Sequence, residues 1–193
     1  MIERLSRELS AWIIEFFRWA PGGIGQRARG YSYRQRLKKM GSVGYIGLGV
    51  WLSGSQNISL GDNVTIGPNC ILTSDEGNLS IGSNSGLNSN VTLGADLGSI
   101  RIGENVIIGM NTVMRAANHK FDASPDIPIR EQGHDRGEIV IQDDVWIGAN
   151  VTILPHTTIG SHCVIGAGSV VTRDIPSGSV AVGVPAKVIR KIN

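Results

Sequence analysis

Residues 81–114 read IGSNSGLNSNVTLGADLGSIRIGENVIIGMNTVM. An aliphatic residue, often followed by glycine, recurs at every sixth position: Ile81, Leu87, Leu93, then Ile102, Ile108, Met114. The beat extends back through Leu60, Ile66 and Leu72, and resumes later as Ile141, Ile147, Ile153, Ile159, Ile165 and Val171. Four residues after these come small or aliphatic side chains: Val64, Cys70, Ser85, Val91, Val106, Thr112, Val145, Val151, Thr157, Cys163 and Ser169. Asn118 is the polar exception, and it stands where the beat fails. A fixed internal repeat of this kind implies a solenoid of stacked coils. Six residues are too few for a helix pair but suit a short strand and a turn, with the aliphatic residue pointing inward. Three such sides close a triangular coil, and stacked coils pair as neighbouring strands about 4.8 Å apart. Glycine or asparagine at the corners permits the tight turns, where positive φ is often needed.

From Leu60 to Ile81, and from Ile81 to Ile102, the step is 21 residues rather than 18. The three extra residues fall at one corner, in TSDEGN (73–78) and GADLGS (94–99). One coil later that corner carries RAANHK (115–120) and an interruption of the beat over about 115–139. The expected fold is therefore an all-β solenoid whose long loop leaves from one particular edge. Insertions in solenoids commonly sit on the functional face.

Aromatics make up 5% of the 193 residues and glycine accounts for 26, so the core relies on small aliphatic layers. The net charge of +2 does not suggest a nucleic-acid binder, yet the charge is uneven. Residues 1–40 hold nine Lys/Arg and three Asp/Glu, and the remainder holds nine and thirteen. Leu5, Leu9, Trp12, Ile13, Phe16, Phe17 and Ala20 fall on one helical stripe, which Pro21-Gly22-Gly23 ends. A basic run follows: Arg27, Arg29, Arg34, Arg36, Lys38 and Lys39. Such a helix caps the open end of the solenoid, lies in a membrane interface, or does both. The expected divisions are 1–40 for this helix and basic segment, 41–176 for the solenoid, and 177–193 for a tail that abandons the beat. Glu3, Glu8, Glu15 and Arg18 break the first twenty residues, and there is no apolar run long enough to span a bilayer. The expectation is a cytoplasmic protein, with peripheral contact at the inner membrane face if the helix binds lipid. Cys70 and Cys163 share the small-residue slot and read as packed thiols.

VWIGANVTILPHTTIGSHCVIGAGSVVTRDIPSGSVAVGVPAKVIRKI (145–192) resembles the C-terminal half of galactoside, maltose and bacterial polysaccharide O-acetyltransferases. AANHKFD (116–122) resembles their catalytic segment. These are hexapeptide-repeat acyltransferases, and the resemblance covers roughly residues 45–193. It implies a left-handed parallel β-helix, a homotrimer with each active site between two prisms, acetyl-CoA as co-substrate, no metal, and direct acetyl transfer to a carbohydrate hydroxyl or amine.

His119 is the expected general base, by resemblance and by its place on the loop edge. A base positioned to take the acceptor proton can contribute about 10²–10⁴-fold, and histidine titrates near neutral pH. Asp96 stands one coil below His119 on the same corner, where it would orient the imidazole or bind an acceptor hydroxyl. Asn88 matches a family asparagine that contacts the acceptor and the developing oxyanion, and Asn118 would brace His119 at the acceptor. The coenzyme residues carried over by resemblance are Trp146, Ala149, Ala167, Thr172, Arg173, Lys187 and Arg190. The alanines would line the pantetheine slot, and the cations would neutralise phosphates.

The basic front end favours O-acetylation of a surface polysaccharide or its lipid-linked precursor. N-acetylation of an amino sugar or sugar nucleotide is the alternative, and a non-catalytic β-helix a third reading. His156 and His162 occupy one slot on successive sides, so they project from different corners and cannot share one ion within a chain. GAGSV (166–170) is a repeat corner, not a dinucleotide fingerprint.

Overall fold

A computed structural model describes residues 2–192; the side chain of Leu5 lies outside the described residues. Each hexad forms a two- to four-residue strand, and the strands stack into three sheets. Sheet A contains Lys39–Met40, Ile58–Leu60, Asn78–Ile81, Ser99–Ile102, Glu138–Ile141 and Thr157–Ile159. Sheet B runs through Val43–Ile46, Val64–Ile66, Gly86–Leu87, Ile107–Ile108, Val145–Ile147, Cys163–Ile165 and Ser179–Val182, then ends on the antiparallel strand Lys187–Lys191. Sheet C contains Trp51–Ser53, Ile71–Thr73, Thr92–Gly94, Val113–Arg115, Thr152–Ile153 and Val170–Val171. The other pairings within these sheets are parallel, so the chain winds from A to B to C and back for about six coils. The parallel solenoid expected from the beat is the fold.

Alternation along each strand puts the hexad aliphatics inside. Ile66, Leu72, Leu93, Ile108, Met114, Ile141 and Ile147 are fully buried. The small-residue slot is buried too, and its polar members are satisfied by backbone. Ser85 Oγ donates to Gly103 O at 2.8 Å, Thr112 Oγ1 to Gly148 O at 3.1 Å, and Ser169 Oγ to Gly166 O at 2.6 Å. One coil precedes the first counted repeat. Met40, Ile46 and Leu52 keep the six-residue step, but a 3₁₀ turn at Ser55–Asn57 shifts the phase before Leu60.

The corners divide two jobs that the sequence reading gave to either residue. Positive φ belongs to Asn63, Asn69, Asn84, Asn90, Asn105, Asn111 and Asn150, with Asp144, His156 and His162 in the same slot. Their amides form ladders along the edges: Asn90 donates to Asn111 at 3.0 Å, and Asn111 to Asn150 at 3.1 Å. The glycine after the hexad aliphatic serves close stacking instead. A Cβ on Gly82 would lie 2.5 Å from the Gly103 carbonyl, and one on Gly109 2.5 Å from Ala149 N.

The N-terminal region differs from expectation: it holds two helices, α1 (Ile2–Trp19) and α2 (Gly22–Arg34). Pro21-Gly22-Gly23 ends α1 but also starts α2, because proline with extended ψ suits the position before a first helical turn. The basic residues Arg27, Arg29 and Arg34 are therefore helical. The cap on the solenoid is α2, which buries Arg29 and Tyr33, followed by Leu37. Tyr33 Oη donates to Val50 O, and Arg29 Nε to Ile46 O at 3.2 Å.

Candidate active site

Edge CA, between sheets C and A, carries the two small bulges and then the long loop. The loop begins and ends as an antiparallel hairpin that pairs Ala117–His119 with His134–Arg136. His119 lies directly opposite His134, with ring centroids 4.3 Å apart. Two surface side-chain contacts strap the hairpin to the prism. Arg136 reaches Glu76 at 3.1 Å, and His156 Nε2 reaches Asp135 Oδ2 at 3.0 Å. Gln132 closes the loop on itself, accepting from Ala123 N and donating to Ser124 O and Ile127 O.

A cleft of about 70 Å³ opens beneath the hairpin, lined by Gly94, Asp96, Leu97, Arg115, Ala117, His119 and His134. His119 and Asp96 thus share one cleft, as their register on successive coils requires. Asp96 Oδ2 lies 3.8 Å from Arg115, while its Oδ1 is buried without a hydrogen-bond partner. One coil below, Thr73 Oγ1 and Ser74 Oγ are also buried and unpartnered. Each such group costs about 1–3 kcal/mol if left unsatisfied.

Asn118 alternates away from His119 and shares the hairpin face of Asp135, its strand partner. Asn88 lies on a different edge, BC, where it is exposed and accepts from Ser89 N at 3.2 Å. It borders a groove of about 360 Å³ on the outer face of sheet B, with Tyr45, Thr65, Gly86 and Ile107. Within one chain, Asn88 and His119 are not brought together.

The coenzyme residues divide the same way. Ala149 and Ala167 stack on edge BC, and Trp146 stands outward on sheet B between Ile107 and Val164, 56% exposed. Thr172 and Arg173 lie on edge CA. A cleft of about 240 Å³ brings Arg173 and Lys187 together with Ile175, Pro185, Ala186 and Val188. Asp174 also lines it, with Oδ1 accepting from Thr158 N at 2.7 Å. Arg190 lies outside that lining, on the terminal strand opposite Val180. Small side chains on one edge and two cations on the next fit a pantetheine arm with phosphates.

Sequence reasoning missed His134, which lines the cleft. His134 carried no periodic signal, because the hairpin that returns it is irregular.

Residues 138–173 match the family model described as bacterial transferase hexapeptide (six repeats). The galactoside O-acetyltransferase of Lactococcus lactis is 44% identical over 87 residues, which cover 45% of this chain and 41% of that protein. The chain spans about two fifths of the length of the curated relatives it matches. The structure of a maltose O-acetyltransferase from Clostridium difficile superposes with a TM-score of 0.66 and 31% identity, over 97% of this chain and 86% of that one. An N-acyltransferase from Bacillus cereus, in complex with dTDP and coenzyme A, gives a TM-score of 0.74 at 27% identity, over 86% and 90% of the two chains. Fold and matches together define a hexapeptide-repeat solenoid of the transferase class. The chain belongs to the hexapeptide-repeat acetyltransferase family.

Proposed function

We propose that the protein transfers an acetyl group from acetyl-CoA to a sugar hydroxyl, with His119 as general base. The observation that carries this reading is the cleft that His119 and Asp96 share at the edge from which the loop departs. Acetyl-CoA, when bound, supplies the acetyl group as an activated thioester. Ala149 and Ala167 would line its arm, while Arg173 and Lys187 would meet its phosphates. His119 accepts the acceptor's hydroxyl proton as the oxygen attacks the acetyl carbon; the thioester C–S bond then breaks, and the proton passes from His119 to the departing coenzyme sulfur. Asp96 accepts a hydrogen bond from a second hydroxyl, or orients the imidazole. Direct transfer needs no covalent enzyme intermediate, and the cleft lining holds no serine, threonine or cysteine for His119 to activate.

The division over edges BC and CA supports a homotrimer. Edge BC of one prism, with Asn88, would face edge CA of its neighbour, with His119. Each coenzyme groove would then draw on both subunits. Asn118, on the outer hairpin face, would brace the loop, and Arg190 would extend the cationic surface beyond Lys187.

The acceptor is proposed to be a surface polysaccharide or its lipid-linked precursor at the inner membrane face, since the basic segment lies at the end of the prism. Mass spectrometry of products, from panels of glycans and amino-sugar nucleotides offered with acetyl-CoA, tests this. An O-acetylated glycan is the expected product. Acetylation of amino sugars alone would establish instead the N-acyl reading, which the likeness to the Bacillus cereus enzyme favours.

A further inference from the structure

Helix α1 is held at its C-terminal end. Gly49 N donates to Arg18 O at 3.2 Å, and the Arg29 guanidinium donates to the carbonyls of Phe17 and Ala20. Toward its other end the helix leaves the body, and residues 8–13 are exposed all round. Leu9, Trp12, Ile13 and Phe16, spaced i, i+3, i+4, i+7, form a stripe that the chain itself leaves open, with Trp12 73% and Phe16 70% exposed. Opposite the buried face of α2, Ile24, Arg27, Tyr31 and Arg34 form an outward face, and Lys38 and Lys39 follow, all exposed. Arg27, Tyr31 and Arg34 border a cavity of about 410 Å³ against Gly44. Among the described residues, no helix is long and apolar enough to cross a membrane.

The stripe adds little to the fold's own burial, so its occupant must come from outside. That occupant must be apolar beside α1 and anionic beside α2. A second copy meeting it through the same end would set these cations against each other. We propose that this end of the molecule docks on an anionic lipid bilayer. Leu9, Trp12, Ile13 and Phe16 enter the interface, while Arg27, Arg34, Lys38 and Lys39 lie at the level of the phosphates. Tyr31, with an apolar ring and a polar tip, suits the same boundary. This inference stands apart from the acetyl-transfer reading and gives its lipid-linked acceptor a location.

Flotation of the full chain with phosphatidylglycerol–phosphatidylcholine vesicles, and with phosphatidylcholine alone, tests it. The protein is expected to float with the anionic vesicles and to be released by salt. Trp12→Glu with Phe16→Glu should abolish flotation. Arg27→Gln and Lys38→Gln should each weaken binding about fivefold, leaving the apolar stripe intact. Circular dichroism and acetyl transfer to a water-soluble acceptor monitor folding and the catalytic reading separately. Failure of the wild-type chain to bind anionic vesicles overturns the proposal, as does unaltered binding by the folded variants. A lipid-free change in oligomeric size on Trp12→Glu with Phe16→Glu overturns it too, since the stripe would then be a contact between copies.

Discussion

The imidazoles of His119 and His134 face each other across the hairpin at edge CA, 4.3 Å between ring centroids, and both line the cleft that contains Asp96. A base in that position has one flank closed by a second ring, which narrows the direction from which an acceptor can approach.

Replacing His119 by alanine should lower kcat by about 10²–10⁴-fold, the range typical of a lost general base. Replacing His134 by alanine should cost less and act mainly on acceptor KM, because its ring bounds the cleft. Steady-state release of the coenzyme thiol, with acceptor and acetyl-CoA varied in turn, separates the two. Equal kcat losses would instead make the histidines a single functional unit.

Asp96 lines the cleft with a partly exposed carboxylate. If an acceptor hydroxyl donates to it, Asp96→Ala should reduce kcat/KM for the acceptor by about 10–100-fold, the worth of a hydrogen bond to a charged group. KM for acetyl-CoA should remain near wild type. Unchanged acceptor kinetics would remove Asp96 from the site.

The division of labour at the corners is open to thermal unfolding. Gly82→Ala places a Cβ 2.5 Å from the next coil's backbone and should destabilise by about 1–3 kcal/mol, as overpacking does. Asn111 has φ 59° and links two ladder bonds, so Asn111→Ala should lose the ladder and strain the backbone by about 1–2 kcal/mol. Asn111→Gly should lose the ladder alone and cost less.

Burial pushes the Cys70 thiol up to about 11, and its sulfur donates to Asn88 O at 3.0 Å. At pH 8 only about one part in a thousand is thiolate, so the native protein should resist Ellman's reagent at Cys70. A Cys163→Ser background isolates the measurement. Guanidinium unfolding should release the Cys70 signal with the core.

The coils were legible because a β-solenoid repeats one local environment. Ile81, Leu87 and Leu93 meet the same interior as Ile102, Ile108 and Met114, and so bear the same chemistry at the same step. Asp96 and His119 could be placed on one corner for that reason, and they share one cleft. The first coil was harder, because Ser55–Asn57 inserts a turn between Leu52 and Leu60 and shifts the phase. Helix α2 escaped notice because its buried face is made of Gly25, Arg29, Gly30 and Tyr33, which present no apolar periodicity. His134 was invisible as a neighbour of His119, since fourteen residues of loop separate them and only strand pairing returns one to the other.

Sequence alone thus determined the winding of the chain, its inward residues and the edge from which the loop departs. Those follow from hydrophobic period and residue size, which act locally and recur. Tertiary structure alone decided which helix closes the prism, that His134 packs beside His119, and that Asn88 stands on a different edge from the base. These depend on contacts between segments far apart in the chain, made once each, and a contact made once leaves no period to read.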